Sequence, residues 1–268
     1  MEIPILFEDG EALVINKPAG LPLDRARSGG AALDDYLPTL KLGFAREPVA
    51  VHRLDRDTSG CLLLARNPKA LKRFAKAFEE RQVGKRYLGI VAGPVAENSG
   101  TIDLALTKIS SAEAGWRMIL ARKGKPSVTH WKVLDRRDGL TLVEFRPETG
   151  RTHQIRVHAL HGLGAALLGD PVYGTGEGAH RTMLHAAGLV VRREGKPPIV
   201  AHAPLPADFR ALGFVDPEDV AIAEAHAAED AAAARAVLGG DQPDDALVLE
   251  VPDETGPEQL DEMGDERG

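Results

Sequence analysis

Val51-His52-Arg53-Leu54-Asp55-Arg56-Asp57-Thr58-Ser59-Gly60 runs directly into Cys61-Leu62-Leu63-Leu64-Ala65. The apolar run after the glycine reads as a buried strand. The ionisable side chains crowded before it cannot all be buried without partners, because an unpaired charge away from water is too costly. Asp57, Thr58, Ser59 and Gly60 are ordinary turn formers and need no chemical explanation. Asp55 stands apart, since the flanking Arg53 and Arg56 provide fields that favour its charged form. Taken alone, Asp55 reads first as one arm of a structural salt bridge and second as a catalytic carboxylate.

Toward the N-terminus, Leu13 to Ile15 is an early strand that ends at Asn16-Lys17-Pro18-Ala19-Gly20. That Pro and Gly turn brings Lys17 to a strand end. Toward the C-terminus, Leu71, Phe74, Ala75 and Phe78 recur at helical spacing, with Lys72, Arg73, Lys76, Glu79 and Glu80 on the wet side. Gly84 then introduces a strand over Lys85 to Val91, and Leu140 to Phe145 alternates as another. Residues 7 to 214 therefore read as a mixed α/β or α+β domain. Between those strands, residues 107 to 126 place Lys108, Arg117, Arg122, Lys123 and Lys125 around Trp116 without a stable period. A mobile basic loop is expected there, with a solvated surface hairpin as the other reading.

A second polar segment, Gly150-Arg151-Thr152-His153-Gln154-Ile155-Arg156-Val157-His158, follows the 140 to 145 strand and looks like the opening of a helix capped by Thr149 or Thr152. On that helix Thr152 and Arg156 share a polar face able to address a ligand. His153, His158 and His161 have no Cys, Asp or Glu completing a recognised ligand spacing, so no metal is expected. No phosphate-cradling or dinucleotide-binding glycine pattern is present, so no nucleotide cofactor is expected either.

The 268 residues carry a net charge of −7, an average of two unlike regions. Residues 216 to 268 hold seventeen acidic against two basic residues, leaving 31 basic against 23 acidic in residues 1 to 215. The expected division is a basic body over 1–215 and an acidic, Ala-rich tail over 216–268, partly helical or disordered. A basic body suits a polyanionic partner through counterion release. Cys61 is the single cysteine, which excludes an internal disulfide and fits a reducing cytoplasm. No apolar run approaches the ~20 residues that cross a bilayer, and a secretory leader is not expected from the first residues.

Taken in order, five segments resemble the RluA family of pseudouridine synthases: Ile15 to Gly20, His52-Arg53-Leu54-Asp55 with Thr58-Ser59-Gly60, Lys85-Arg86-Tyr87, Gly150 to Arg156, and Leu168-Gly169-Asp170-Pro171-Val172-Tyr173-Gly174. The resemblance spans residues 7 to 209. It implies an α+β fold with a mixed, mostly antiparallel central sheet, whose flanking helices and loops form an RNA-binding cleft. It also implies a cofactor-independent isomerase that turns uridine into pseudouridine in stem-loops of large-subunit ribosomal RNA or tRNA. By the same resemblance Asp55 is the catalytic carboxylate, Arg156 orients it, and Tyr87 packs on the base and helps remove the C5 proton. Arg53 replaces the extruded uridine. Lys17, Arg151 and His52 join the substrate-binding set, with cations of the 107 to 126 loop on phosphates. The motifs begin too early for an N-terminal S4 domain, and a monomer without an obligate protein partner is expected. The competing expectation is a non-catalytic RNA-binding or ribosome-assembly protein on the same fold. A glycosidase is disfavoured because that chemistry usually needs two carboxylates.

Overall fold

The structure, a computed structural model, describes residues 2–25, 29–111 and 115–225. Along the chain it forms β1 (Ile5–Glu8), β2 (Ala12–Lys17), β3 (Val49–Ala50), β4 (Ser59–Ala65), α1 (Pro68–Glu79), β5 (Val83–Ala92), β6 (Ser99–Asp103), β7 (Leu106–Ser111), β8 (Gly115–Leu120), β9 (Val128–Arg137), β10 (Leu140–Pro147), α2 (Gln154–Gly162), β11 (Leu184–Arg193), β12 (Lys196–His202) and α3 (Ala207–Ala211). Ten strands make one sheet in the order β1-β2-β4-β11-β5-β10-β9-β6, with β3 joined to β4 and β12 to β11. Its pairings are antiparallel except for the parallel contact of β4 with β11. The fold is α+β, with a mixed and mostly antiparallel sheet.

Strand β4 explains its own composition. Every residue of it is buried, because both faces are covered. Cys61, Leu63 and Ala65 pack with Ala70, Phe74 and Ala77 of α1, while Leu62 and Leu64 meet Leu13, Ile15, Leu33, Leu40 and Leu54 on the opposite face. Helix α1 starts where Asn67 Oδ1 accepts the Ala70 N–H at 2.9 Å, with Pro68 in the first turn, as a capped start should. Its buried stripe is Ala70, Phe74 and Ala77; Ala75, assigned to the core side by spacing, is exposed.

The parallel contact is a seam between the β1–β4 half of the sheet and the later strands. It is short, matching Ser59 with His185 and Gly60 with Ala186. Gly60 has φ +106°, and a Cβ there would lie 2.2 Å from the Ala186 carbonyl oxygen, so the close approach admits only glycine. The segment 51–58 enters β4 at this seam. That puts Asp55 above the middle of the sheet.

Two expectations change. Residues 107 to 126 are largely the hairpin β7–β8, although residues 112–114 lie outside the described ones. The hairpin buries Leu106 and Met118 against Val157, Leu120 and Tyr173, too few apolar positions to print a period. The body extends past 215: the compact unit runs Met1–Ala221. Asp216 is fully buried against Arg86, with bonds of 2.7 and 2.6 Å, and Asp219 accepts the Leu205 N–H at 2.9 Å. Counted to residue 221, the body has 31 basic and 26 acidic residues. The second unit is Ile222–Gly268, and from residue 226 onward the tail expectation falls outside the described residues. No described helix is long and apolar enough to cross a membrane.

Candidate active site

Leu54 is buried in the core beneath β2 and β4, worth roughly 1.5–3 kcal/mol, and so anchors the segment that carries Asp55. The turn closes as the Thr58 N–H donates to the Asp55 carbonyl at 3.1 Å. Arg53 is exposed. The Asp55 carboxylate, 26% exposed, lies at a cleft lined by Arg53, Lys85, Tyr87, Thr149, Arg151, His153 and Arg156 among others, with about 640 Å³ of empty space open to solvent. Asp55 is the one carboxylate among the residues lining this cleft; an adjoining hollow that shares Arg53, Asp55, His153 and Arg156 is also lined by Asp24 and Asp57.

Arg156 reaches Asp55 from α2. Its Nη1 donates to Asp55 Oδ2 at 3.3 Å, while Nε and Nη2 donate to the two oxygens of Asp170 at 2.7 Å each. Asp170 is fully buried and also accepts the backbone N–H groups of Val172 and Tyr173. Burial works to raise its carboxyl pKa, but the bonds and charge of Arg156 and those two N–H groups outweigh burial and hold it below the usual range. The forked pair fixes the guanidinium plane, which leaves Nη1 aimed at Asp55. Asp170 and Tyr173 were not singled out as site residues from sequence. Asp170 precedes a proline and reads locally as a turn former.

Helix α2 begins differently from expectation. Neither Thr149 nor Thr152 caps it; His153 is the N-cap, at φ +52°. Gln154 fastens the start instead, accepting from Thr149 Oγ1 and the Arg151 N–H and donating to the Val128 carbonyl and Thr129 Oγ1. Thr152 precedes the helix and is exposed. His158 faces inward to Thr129 and the Leu104 carbonyl, and burial lowers its pKa.

The alternation of β5 separates neighbouring side chains. Tyr87 packs beside Phe145 and Leu184 and borders the cleft together with Lys85. Arg86 turns to the other face, where it pairs with Glu144, Asp216 and Glu218. Burial, then the nearby Asp55 charge, raises the Tyr87 phenol above its ordinary range, so the hydroxyl keeps its proton. Lys85 donates to the Thr149 carbonyl at 3.2 Å; burial, then the Arg81 charge, lowers its pKa to about 8.

Two expected substrate contacts are corrected. Lys17 is fully buried, and its ammonium donates to the carbonyls of Pro18, Leu21 and Arg56, each at 2.9 Å. It pins the Asp55 segment from behind and has no donor left for a phosphate. His52 stacks on Phe78 at 4.5 Å and its Nε2 accepts the Leu63 N–H at 3.0 Å, a bond that requires the neutral ring. Burial, then Lys85, pushes its pKa down to about 3. Arg56 pairs with Asp57 rather than with Asp55. Arg53 and Arg151 remain at the cleft, Arg53 with no side-chain partner among the described residues.

The family model described as RNA pseudouridylate synthase matches residues 11–161. An uncharacterized RNA pseudouridine synthase of Zymomonas mobilis is 55% identical over 212 residues, covering 78% of this chain and 97% of that protein. Ribosomal large subunit pseudouridine synthase D of the same organism is 36% identical over 191 residues, 69% of this chain, and the chain spans 60% of that relative's length. Among solved structures, human RNA pseudouridylate synthase domain containing 1 superposes with a TM-score of 0.68 at 29% identity, over 83% of this chain and 94% of the human one.

Proposed function

The chain belongs to the RNA pseudouridylate synthase family, and from that premise we propose that it isomerises a loop uridine in a compact stem-loop of large-subunit ribosomal RNA or tRNA, with Asp55 as the reacting carboxylate. One observation carries this reading. A cleft edged by Arg53, Lys85, Arg151 and Arg156 contains a single lining carboxylate, Asp55. A negative group in a phosphate-attracting cleft weakens binding, so its presence is explained by chemistry.

The reaction breaks the N1–C1′ bond, turns the base and joins C5 to C1′, so substrate and product have the same atoms. A carboxylate serves it by attacking C1′, adding at C6 or removing the 2′ proton. Each route starts from Asp55 set beside the flipped nucleotide by Arg156. Tyr87 packs on the base and helps remove the C5 proton at the end of the reaction; at rest its phenol is neutral, because burial and the Asp55 charge raise its pKa. Arg53 fills the space left by the uridine. Flipping costs a few kcal/mol and less for a base that is already unpaired, which favours loops. Arg151, Lys85 and Lys108 hold phosphates, fixing position rather than sequence. In this reading the chain works as a cytoplasmic monomer.

The test is incubation of the purified protein with transcribed ribosomal RNA and tRNA, followed by chemical mapping of pseudouridine, because mass is unchanged by the reaction. A new pseudouridine in a loop supports the reading. Tight binding with no pseudouridine in any of these RNAs turns the chain into a non-catalytic RNA-binding protein.

A further inference from the structure

His153 is held from several sides at once. Its Nδ1 lies 2.9 Å from the Tyr173 hydroxyl. Trp116 of β8 stacks on its ring at 4.9 Å and 29°, and Tyr173 meets it edge-on at 5.6 Å. Its Nε2 is 3.7 Å from Asp55 Oδ2, on the carboxylate oxygen that Arg156 also approaches. The backbone sits at φ +52°, uncommon for a residue with a side chain and tolerated better by His, Asn and Asp than by most.

The tautomer follows from hydrogen-bond bookkeeping. The Met118 N–H donates to the Tyr173 hydroxyl oxygen at 2.9 Å. Assigning the hydroxyl proton to His153 Nδ1, so that the hydroxyl both accepts and donates, leaves the imidazole proton on Nε2, facing Asp55. Burial outweighs the pull of Asp55 and lowers the His153 pKa, which agrees with the neutral ring this chain of bonds needs. At 3.7 Å the last link is too long to be a hydrogen bond, and links of this kind commonly tighten only when substrate is bound.

Resting on the assignment of Asp55 as the reacting carboxylate, we propose that His153 is a positioning residue. Its Nε2–H, aimed by the Tyr173 hydroxyl and braced by Trp116, engages Asp55 Oδ2 in the RNA complex and sets the carboxylate's angle jointly with Arg156. The brace makes the β7–β8 hairpin part of the site. The Lys108 ammonium lies over the Trp116 ring at 5.1 Å, which joins a cation of the hairpin to the same brace.

Single-turnover rates and RNA dissociation constants of wild type, His153→Asn, Tyr173→Phe, the double variant and Asp55→Asn test this directly. Asn keeps the left-handed backbone but withdraws the ring donor, and Phe removes only the hydroxyl. Each single variant is expected to slow the saturated rate roughly 10- to 100-fold with RNA affinity retained, the scale of a small misplacement at a reacting centre. The double variant is expected to lose no more than the worse single one, because both act through the same bond. Saturated rates equal to wild type, weakened binding with an intact rate, or losses that multiply in the double variant each overturn the proposal. An active Asp55→Asn instead overturns the assignment on which it rests.

Discussion

Replacing Asp170 by Asn removes the charge from a carboxylate that is fully buried while keeping its shape. In the native protein it satisfies two N–H groups of Arg156 at 2.7 Å and two backbone N–H groups. An amide presents an NH2 to one arm of the guanidinium fork, donor against donor, and leaves Arg156 charged in a buried place with only the more distant Asp55 oxygen to answer it. Breaking a buried pair this way costs about 3–5 kcal/mol, equivalent to a melting temperature lower by roughly 6–20 °C for a body of this size. Equilibrium urea unfolding of both proteins at low temperature measures it. The pH dependence adds a second check. Since the folded carboxyl pKa is lowered from 3.8, its stabilisation is complete above the unfolded pKa and is lost as pH falls through the folded one. The penalty should therefore be flat from pH 8 to 5.5. A loss under about 1 kcal/mol, no more than a surface pair is worth, refutes the view that the Asp170 carboxylate fixes Arg156.

Lys17→Met is expected to cost about 3 kcal/mol or more, since three carbonyls lose a charged donor, with the salt dependence of RNA binding unchanged; a slope shallower by about one unit, as for a lost phosphate contact, contradicts the structural role. Gly60→Ala drives a Cβ to 2.2 Å from the Ala186 carbonyl oxygen and should lower stability by about 3 kcal/mol, combining backbone strain with overpacking; a calorimetric melting point equal to wild type contradicts the close seam. His185, bonded to Ser59 Oγ and the Ala203 carbonyl, has its pKa lowered by burial to about 4. Below about 6.5 the unfolded chain therefore takes a proton that the folded one refuses, and stability falls at about 1.4 kcal/mol per pH unit until about pH 4. Urea titrations at pH 7 and 5 should show this loss, reduced in His185→Asn, and stability that rises toward pH 5 contradicts it.

What could be read from the chain depended on how local its cause was. Strand β4 and helix α1 announce themselves because an apolar run and a stripe at helical spacing are complete within their own residues. The roles of Lys17 and His52 are hidden from the sequence for the opposite reason. A lysine at a strand end looks exposed, and what buries this one is a carbonyl 39 residues away at Arg56 together with two nearby. His52 is spent on the Leu63 backbone, eleven residues on. The Arg156–Asp170 fork spans fourteen residues and a change of element, so neither partner could be assigned to the other by spacing. Asp216 was counted with an acidic tail because composition cannot see that Arg86, 130 residues earlier, is its partner. The β7–β8 hairpin buries too little to leave a pattern, and its part in the site depends on Trp116 meeting His153 in three dimensions.

Asp55→Asn on a mapped substrate RNA addresses the chemistry most directly, because the exchange preserves shape and leaves the surrounding cations in place. Wild type and variant are compared for pseudouridine at the target uridine and for RNA affinity under the same salt. The expected result is complete loss of pseudouridine with RNA binding retained; pseudouridine formed by the variant at the wild-type rate contradicts the catalytic role of Asp55.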